Sequence, residues 1–151
     1  MKLSKKTEYA LKALIELTID YDKGINVTLI NDIAGRENIP PRYLEQILLR
    51  LKNSGILISK RGVGGGYALS RPPEEISMGD VIREVEGSLV SKNRKVVNIS
   101  ASDEMSYGLN NVMAEATDAM KKVFDNISLK EMAERIFYSI EAKKDIPNYV
   151  I

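Results

Sequence analysis

Two adjoining stretches decide the fold: Pro41-Arg42-Tyr43-Leu44-Glu45-Gln46-Ile47-Leu48-Leu49-Arg50-Leu51 and Ile56-Leu57-Ile58-Ser59-Lys60-Arg61-Gly62-Val63-Gly64-Gly65-Gly66-Tyr67-Ala68-Leu69-Ser70-Arg71. In the first, Leu44, Ile47, Leu48 and Leu51 recur at helical spacing, Pro41 suits a first helical turn, and Gly55 punctuates the end. In the second, two short strand-like runs flank a tip holding four of the chain's ten glycines. Glycine tolerates positive φ and close backbone approach, so strand, tip and strand read as a β-hairpin wing.

Upstream, a helix beginning at Ser4 carries Ala10, Ala13, Leu14, Leu17 and Tyr21 as one apolar stripe and stops at Asp22-Lys23-Gly24. Thr28 is expected to cap a second helix, Leu29 to Glu37, whose inward residues are Ile30, Ile33 and Ala34. Asn38-Ile39-Pro40 then leaves only a tight turn before the third helix, which makes the pair a helix-turn-helix with a wing behind it. Downstream, Pro72-Pro73 ends the wing. Ser77 and Asp80 form a capping box, with Ile76 and Val81 as its staple, and the helix stops at Gly87.

Residues 88–102 are polar and basic and read as a loop. From Asp103 to Asn126 a long helix places Leu109, Met113, Ala116, Met120, Val123 and Ile127 at coiled-coil spacing, with Met105, Val112, Ala119 and Phe124 on a second apolar side. That pattern favours dimerisation, the alternative being a helix wholly inside its own core. Ser128 with Glu131 signals a capping box for a last helix running toward Lys144. The expected architecture is mainly α with a small β-hairpin wing. A winged helix-turn-helix domain (1–87) and a loop (88–102) precede dimerisation helices (103–144) and a C-terminal tail (145–151).

Composition narrows the chemistry. The 151 residues include no cysteine and no histidine, which removes disulfides, thiolate clusters, Cys/His zinc sites and imidazole acid-base catalysis. The glycine tip is not a phosphate loop, since it opens a strand and lacks Gly-Lys-Ser/Thr. Glu74/Glu75 and Asp103/Glu104 are sequence neighbours whose side chains diverge. No catalytic constellation, metal site or bound cofactor is expected. No apolar run approaches the ~20 residues that cross a bilayer, and Met1 to Lys6 lacks an apolar leader, so the chain is expected in the cytoplasm.

The net charge of +1 is a balance of opposites: residues 1–71 carry 12 Lys/Arg against 7 Asp/Glu, whereas the remainder carries 10 against 14. The basic half coincides with the helix-turn-helix and wing, as a polyanion partner requires. On the third helix Arg42, Glu45, Gln46, Arg50 and Asn53 face away from the leucine stripe, and these side chains suit guanine, cytosine and adenine edges. Leu49 is the apolar exception on that face, open to a thymine methyl group or to the chain's own second domain. Lys60 and Arg61 at the wing, with Thr7, Tyr9 and Thr28, are candidates for phosphate contact. The bland alternative is a solvated amphipathic surface, or an interaction adaptor that has lost DNA binding.

Met1-Lys2-Leu3-Ser4, Tyr9-Ala10-Leu11, Tyr43-Leu44-Glu45-Gln46-Ile47, Gly55-Ile56-Leu57, Arg61-Gly62-Val63-Gly64-Gly65-Gly66-Tyr67, Arg71-Pro72-Pro73 and Asp80-Val81-Ile82 together resemble the Rrf-two (BadM-type) family of bacterial winged-helix transcription regulators. The resemblance is strong over residues 1–87 and looser beyond. It implies a homodimer formed through the long helix, a palindromic double-stranded DNA operator, and base contacts from Arg42, Tyr43, Glu45 and Gln46 with Arg61 from the wing.

Many members of the family hold an iron–sulfur cluster on three cysteines in the region of 88–106. Here that region offers Ser88, Ser91, Ser100, Ser102 and Ser106 instead, and Glu8 sits where some members supply a carboxylate ligand. The resemblance therefore points to a cluster-free member of the kind that represses cysteine metabolism together with a cysteine synthase. The tail Tyr149-Val150-Ile151 is similar to the C-terminal peptide with which serine acetyltransferases enter that enzyme, the alternative being a strand packed on the dimer. A regulator answering another metabolite or stress is the other expectation within the family.

Overall fold

The computed structural model describes residues 2–87 and 104–144, so the expected loop and the tail, with Ser88, Ser91, Ser100, Ser102, Tyr149, Val150 and Ile151, lie outside the described residues. Helices α1 (Lys5–Asp22), α2 (Ile30–Glu37) and α3 (Pro41–Asn53) are followed by strands β1 (Leu57–Lys60) and β2 (Gly66–Leu69). A 3-10 turn (Pro73–Glu75) then leads to α4 (Met78–Glu86), α5 (Glu104–Asn126) and α6 (Leu129–Lys144).

The leucine stripe of α3 is the centre of the core: Leu44, Ile47, Leu48 and Leu51 are fully buried. Against them pack Ala10, Leu14 and Leu17 of α1, Ile33 of α2, Leu57 and Leu69 of the hairpin, Val81 and Val85 of α4, and Leu129 of α6. The stripe expected on α1 ends differently from its sequence reading. Tyr21 is 44% exposed, and the residue turned inward in the last turn is Asp20, which is 2% exposed.

That buried carboxylate explains a second difference. Thr28 does not cap α2, whose N-cap is Leu29 with no side-chain hydrogen bond. Thr28 instead donates its hydroxyl to Asp20 Oδ2 at 2.7 Å, and Arg36 Nη1 donates to the same oxygen at 3.0 Å. A buried carboxyl group demands hydrogen-bond partners, and Thr28 serves it in place of the α2 cap. The Thr28 backbone meanwhile exchanges two hydrogen bonds of 2.9 Å with Tyr67, fastening β2 to the segment ahead of α2.

The hairpin pairs Leu57 with Leu69 and Lys60 with Gly66. A Cβ on Gly66 would overlap the Thr28 carbonyl, and one on Gly65 would overlap the carbonyl of Lys60. The close approach that these glycines permit is thus to the chain's own backbone. The expected capping box of α4 is complete: the Asp80 N–H donates to Ser77 Oγ (3.0 Å) and the Ser77 N–H to the Asp80 carboxylate (3.1 Å). Only half of the corresponding box on α6 forms. The Glu131 N–H donates to Ser128 Oγ at 3.1 Å, while the Glu131 carboxylate binds Arg135.

α6 is nevertheless fixed at its start, where Met78 and Leu129 donate backbone hydrogen bonds of 2.8 Å to Ile127 and Ile76. α5 buries no residue. Leu109 and Met113 on its seam are 61% and 57% exposed, and Met105 and Val112 on its other side are more exposed still. A wholly intramolecular core helix is therefore not what this chain makes of residues 104–126.

The beginning of α1 is clasped to the end of α4. Glu86 Oε1 accepts from the Ser4 N–H at 3.2 Å and from the Thr7 hydroxyl at 2.5 Å. The Ser4 side chain first, then the Thr7 hydroxyl and more weakly the Ser4 N–H, hold the Glu86 carboxyl below the ordinary glutamate range. Because the folded value is depressed, the contribution is complete above that range and is lost as the pH falls through the lowered value. Glu86→Gln is expected to cost about 1 kcal/mol at neutral pH, the net worth of a typical hydrogen bond. Denaturant titrations at several pH values should show the gap between variant and parent closing in acid.

Candidate nucleic-acid interface

The helical repeat fixes what α3 offers to solvent. With Leu44, Ile47, Leu48 and Leu51 inward, Arg42, Gln46, Leu49 and Asn53 recur along the opposite side at i, i+4, i+7 and i+11. All four are exposed, as are Glu45 and Arg50. Arg50 stands 3.9 Å from Glu84 of α4, a loose exposed pair that leaves its guanidinium available at little cost. Beside Gln46 and Leu49 an open cleft of about 380 Å³ runs to Asn53, Ser54 and Glu84.

Tyr43 and Tyr9 set the pitch of α3 on α1. Their rings meet edge to face, with centroids 5.8 Å apart and planes at 77°, and the Lys5 ammonium lies 5.5 Å from the Tyr9 ring centre. Both rings are half-buried, so Tyr9 serves first as a support for Tyr43. The wing stands close to the start of the same helix: burial, and after it the negative charge of Glu45, pushes the Tyr67 hydroxyl up.

At the wing Lys60 and Arg61 are exposed, and the tip residue Val63 projects fully into solvent. Neither of these cations, nor Arg42, enters an ion pair among the described residues. Arg71 is different. Its Nε donates to the Glu75 carbonyl at 3.1 Å and its Nη2 lies 3.8 Å from Asp80, so it braces the turn after the hairpin.

Two of the phosphate-contact candidates are corrected by the structure. Thr7 is fully buried with its hydroxyl given to Glu86, and Thr28 is 4% exposed with its hydroxyl given to Asp20. Neither presents a donor outward. The residue that sequence reading missed is Asp20 itself. Its signal was available, since the stripe of Ala10, Ala13, Leu14 and Leu17 continues as well to position 20 as to 21, and an acid there must find partners. Those partners lie eight and sixteen residues away.

The long helix α5 supplies the other surface. Leu109, Met113, Ala116, Met120 and Val123 are exposed along one line that ends at the half-buried Ile127. Among the described residues no helix is long and apolar enough to cross a membrane, and no group of three or more carboxylates could hold a metal ion. Glu8 faces outward between cations. Lys5 at 3.0 Å and Lys12 at 3.5 Å pair with it, and the hydrogen bond from Lys5 draws its carboxyl below the ordinary range.

Comparison with known proteins agrees with this geometry. Residues 3–135 match the Rrf2 family, described as an iron-dependent transcriptional regulator. The HTH-type transcriptional regulator CymR of Bacillus subtilis is 34% identical over 133 residues, covering 88% of this chain and 90% of its own. The HTH-type regulator slr0846 of Synechocystis is 43% identical, but over 89 residues, which is 59% of either chain. The solved structure of B. subtilis CymR, described as that organism's global cysteine regulator, superposes with a TM-score of 0.70 at 32% identity, covering 89% of this chain and 98% of the other.

The iron in the family's description finds none of the usual cluster ligands in this sequence. A protein-bound cluster is held by thiolates, with imidazole as the usual substitute, and the sequence contains neither. Glu8, the one carboxylate expected near such a site, is paired with two lysines. With a winged helix-turn-helix, an unpaired basic wing beside the outward face of α3, and a family match over most of its length, the chain belongs to the Rrf2 family of transcriptional regulators.

Proposed function

We propose that the protein is a homodimeric, sequence-specific repressor that binds a palindromic double-stranded DNA operator without an iron–sulfur cluster. The observation that carries this reading is the stripe of Arg42, Gln46 and Asn53, with Glu45 beside it, on a helix whose other side is the core. The recognition side chains therefore stand on a helix anchored along its whole inner face. In this reading Arg42, Tyr43, Glu45, Gln46 and Arg50 work at the major groove, while Lys60 and Arg61 lie along the adjacent backbone or minor groove. Tyr9 acts through Tyr43. Residues 1–87 form the DNA-binding unit and residues 103–144 the dimerisation unit.

Gel-shift titrations against the protein's own promoter are expected to give a specific complex that weakens steeply with salt. Arg61→Ala should weaken specific and non-specific binding alike and flatten the salt slope by about one unit, whereas Glu45→Ala should relax preference at one base pair at a cost of ~1–3 kcal/mol. A chain that only mediates protein contacts would give no specific shift.

Dimerisation follows from α5. A helix of 23 residues, about 34 Å long, with none of them buried leaves its apolar seam open to a partner. Two copies packed along Leu109, Met113, Ala116, Met120, Val123 and Ile127 would cover the seam. Met113→Glu combined with Val123→Glu should yield a monomer by sedimentation, with the hairpin and helical core still folded; a persistent dimer would contradict the assignment of the seam.

The regulated genes are those of cysteine and sulfur metabolism, and the signal arrives through a cysteine synthase that captures Tyr149, Val150 and Ile151. The likeness to CymR, called the global cysteine regulator of B. subtilis, supports the pathway. The absence of cysteine supports a signal brought by a protein rather than by a cluster. Removing Ile151 should abolish co-purification with the synthase from native lysate while leaving the gel shift of the free regulator intact. Undiminished recovery of the synthase would place its docking surface elsewhere.

A further inference from the structure

We infer that Leu49 is a specificity-determining residue that reads the 5-methyl group of a thymine in the operator. The inference rests on the proposed DNA-binding role of α3.

Leu49 is 48% exposed, while Leu44, Leu48 and Leu51 of the same helix are fully buried. It is not a member of the core that has slipped outward, for it stands in register with Arg42, Gln46 and Asn53, in the middle of the outward stripe. Nor, among the described residues, does α5 or α6 cover it. Its surroundings are the cleft formed with Gln46, Arg50, Asn53, Ser54 and Glu84, and none of these is a residue of α5 or α6. An apolar side chain held at the centre of a polar recognition face needs an apolar partner. The major groove offers only one apolar group, the thymine methyl.

The neighbours define the base pairs beside it. Gln46, one turn earlier on the same stripe, has the amide that pairs bidentately with adenine N6 and N7. Arg42, a further turn back, has the fork that pairs with guanine O6 and N7. Along α3 the groove is thus met by a guanine reader, an adenine reader and a methyl reader in that order. The centre of each half-site is A·T, and the thymine contributes through its methyl rather than through its O4 acceptor.

The test uses the full-length dimer and the promoter fragment that it protects, with each thymine of the protected half-site replaced in turn by uracil, which differs only by the methyl group. At one position in each half-site the parent protein should bind uracil about fourfold more weakly than thymine, the worth of burying one methyl group. Leu49→Ser should bind the two equally there, while Leu49→Met, which keeps an apolar contact, should keep the discrimination. Because the residue is half exposed, both variants should unfold within a degree or two of the parent. A parent that binds uracil and thymine alike at every position, or a Leu49→Ser protein that still discriminates, would overturn the inference and leave the DNA-binding reading standing. A failure of the parent to protect any specific fragment would overturn both.

Discussion

The buried carboxylate of Asp20 is the contact through which the DNA-binding half is held in one arrangement. It accepts from the Thr28 hydroxyl and from the Arg36 guanidinium, and so joins the last turn of α1 to the segment before α2 and to α2 itself. Thr28 then passes the connection on, because its backbone is paired with Tyr67 of the wing. This contact thereby links α1, α2 and the hairpin, which pack with α3 in one apolar core. Asp20 is the buried member of this contact and Arg36 the solvent-facing one, so leaving the carboxylate without its donors is the costly change. The wing has no other backbone tie to the segment that precedes α2, and Gly66 is what lets the two backbones come close enough to pair.

The remaining contacts extend this frame. Tyr9 against Tyr43 fixes the pitch of α3, and the Ser77 capping box fixes the start of α4. Glu86 returns the end of α4 to the start of α1. The outcome is a rigid unit whose outward stripe and wing are the parts free of internal commitments. Among the described residues, the cations at those places, Arg42, Lys60 and Arg61, are without ion pairs, while Arg36, Arg71 and Arg83 are engaged in holding the frame.

Much of this was legible in the sequence where the signal is local. The α3 stripe, the Ser77 and Asp80 box, the stop at Gly87 and the hairpin flanking the glycine tip depend on residues within a few positions of each other, and the structure has them as read. Where the reading failed, the deciding partner was distant. Thr28 looked like a cap because only its neighbours could be weighed, and its actual partner is eight residues upstream. Thr7 looked like a surface donor, and its partner is 79 residues downstream. Glu131 was expected to complete a box but found Arg135 one turn ahead, a charge-assisted bond that outcompetes one to a backbone amide. The seam of α5 is legible as a pattern, and the structure leaves it exposed.

The family likeness and the composition pull in opposite directions, and their tension defines the account. Rrf2 is described as iron-dependent, yet this chain has no thiolate or imidazole, and its outlying carboxylate is neutralised by lysines. The winged helix of the family is kept while the thiolate and imidazole ligands of a cluster are absent. The central claim is that α3 and the wing meet DNA as one surface. Amide hydrogen exchange of the dimer, with and without the promoter fragment, tests it most directly. Slowed exchange is expected only at residues 42–53 and 60–66, with the amides around Thr7 unchanged; protection confined to α5 and α6, with α3 and the wing unaffected, would contradict it.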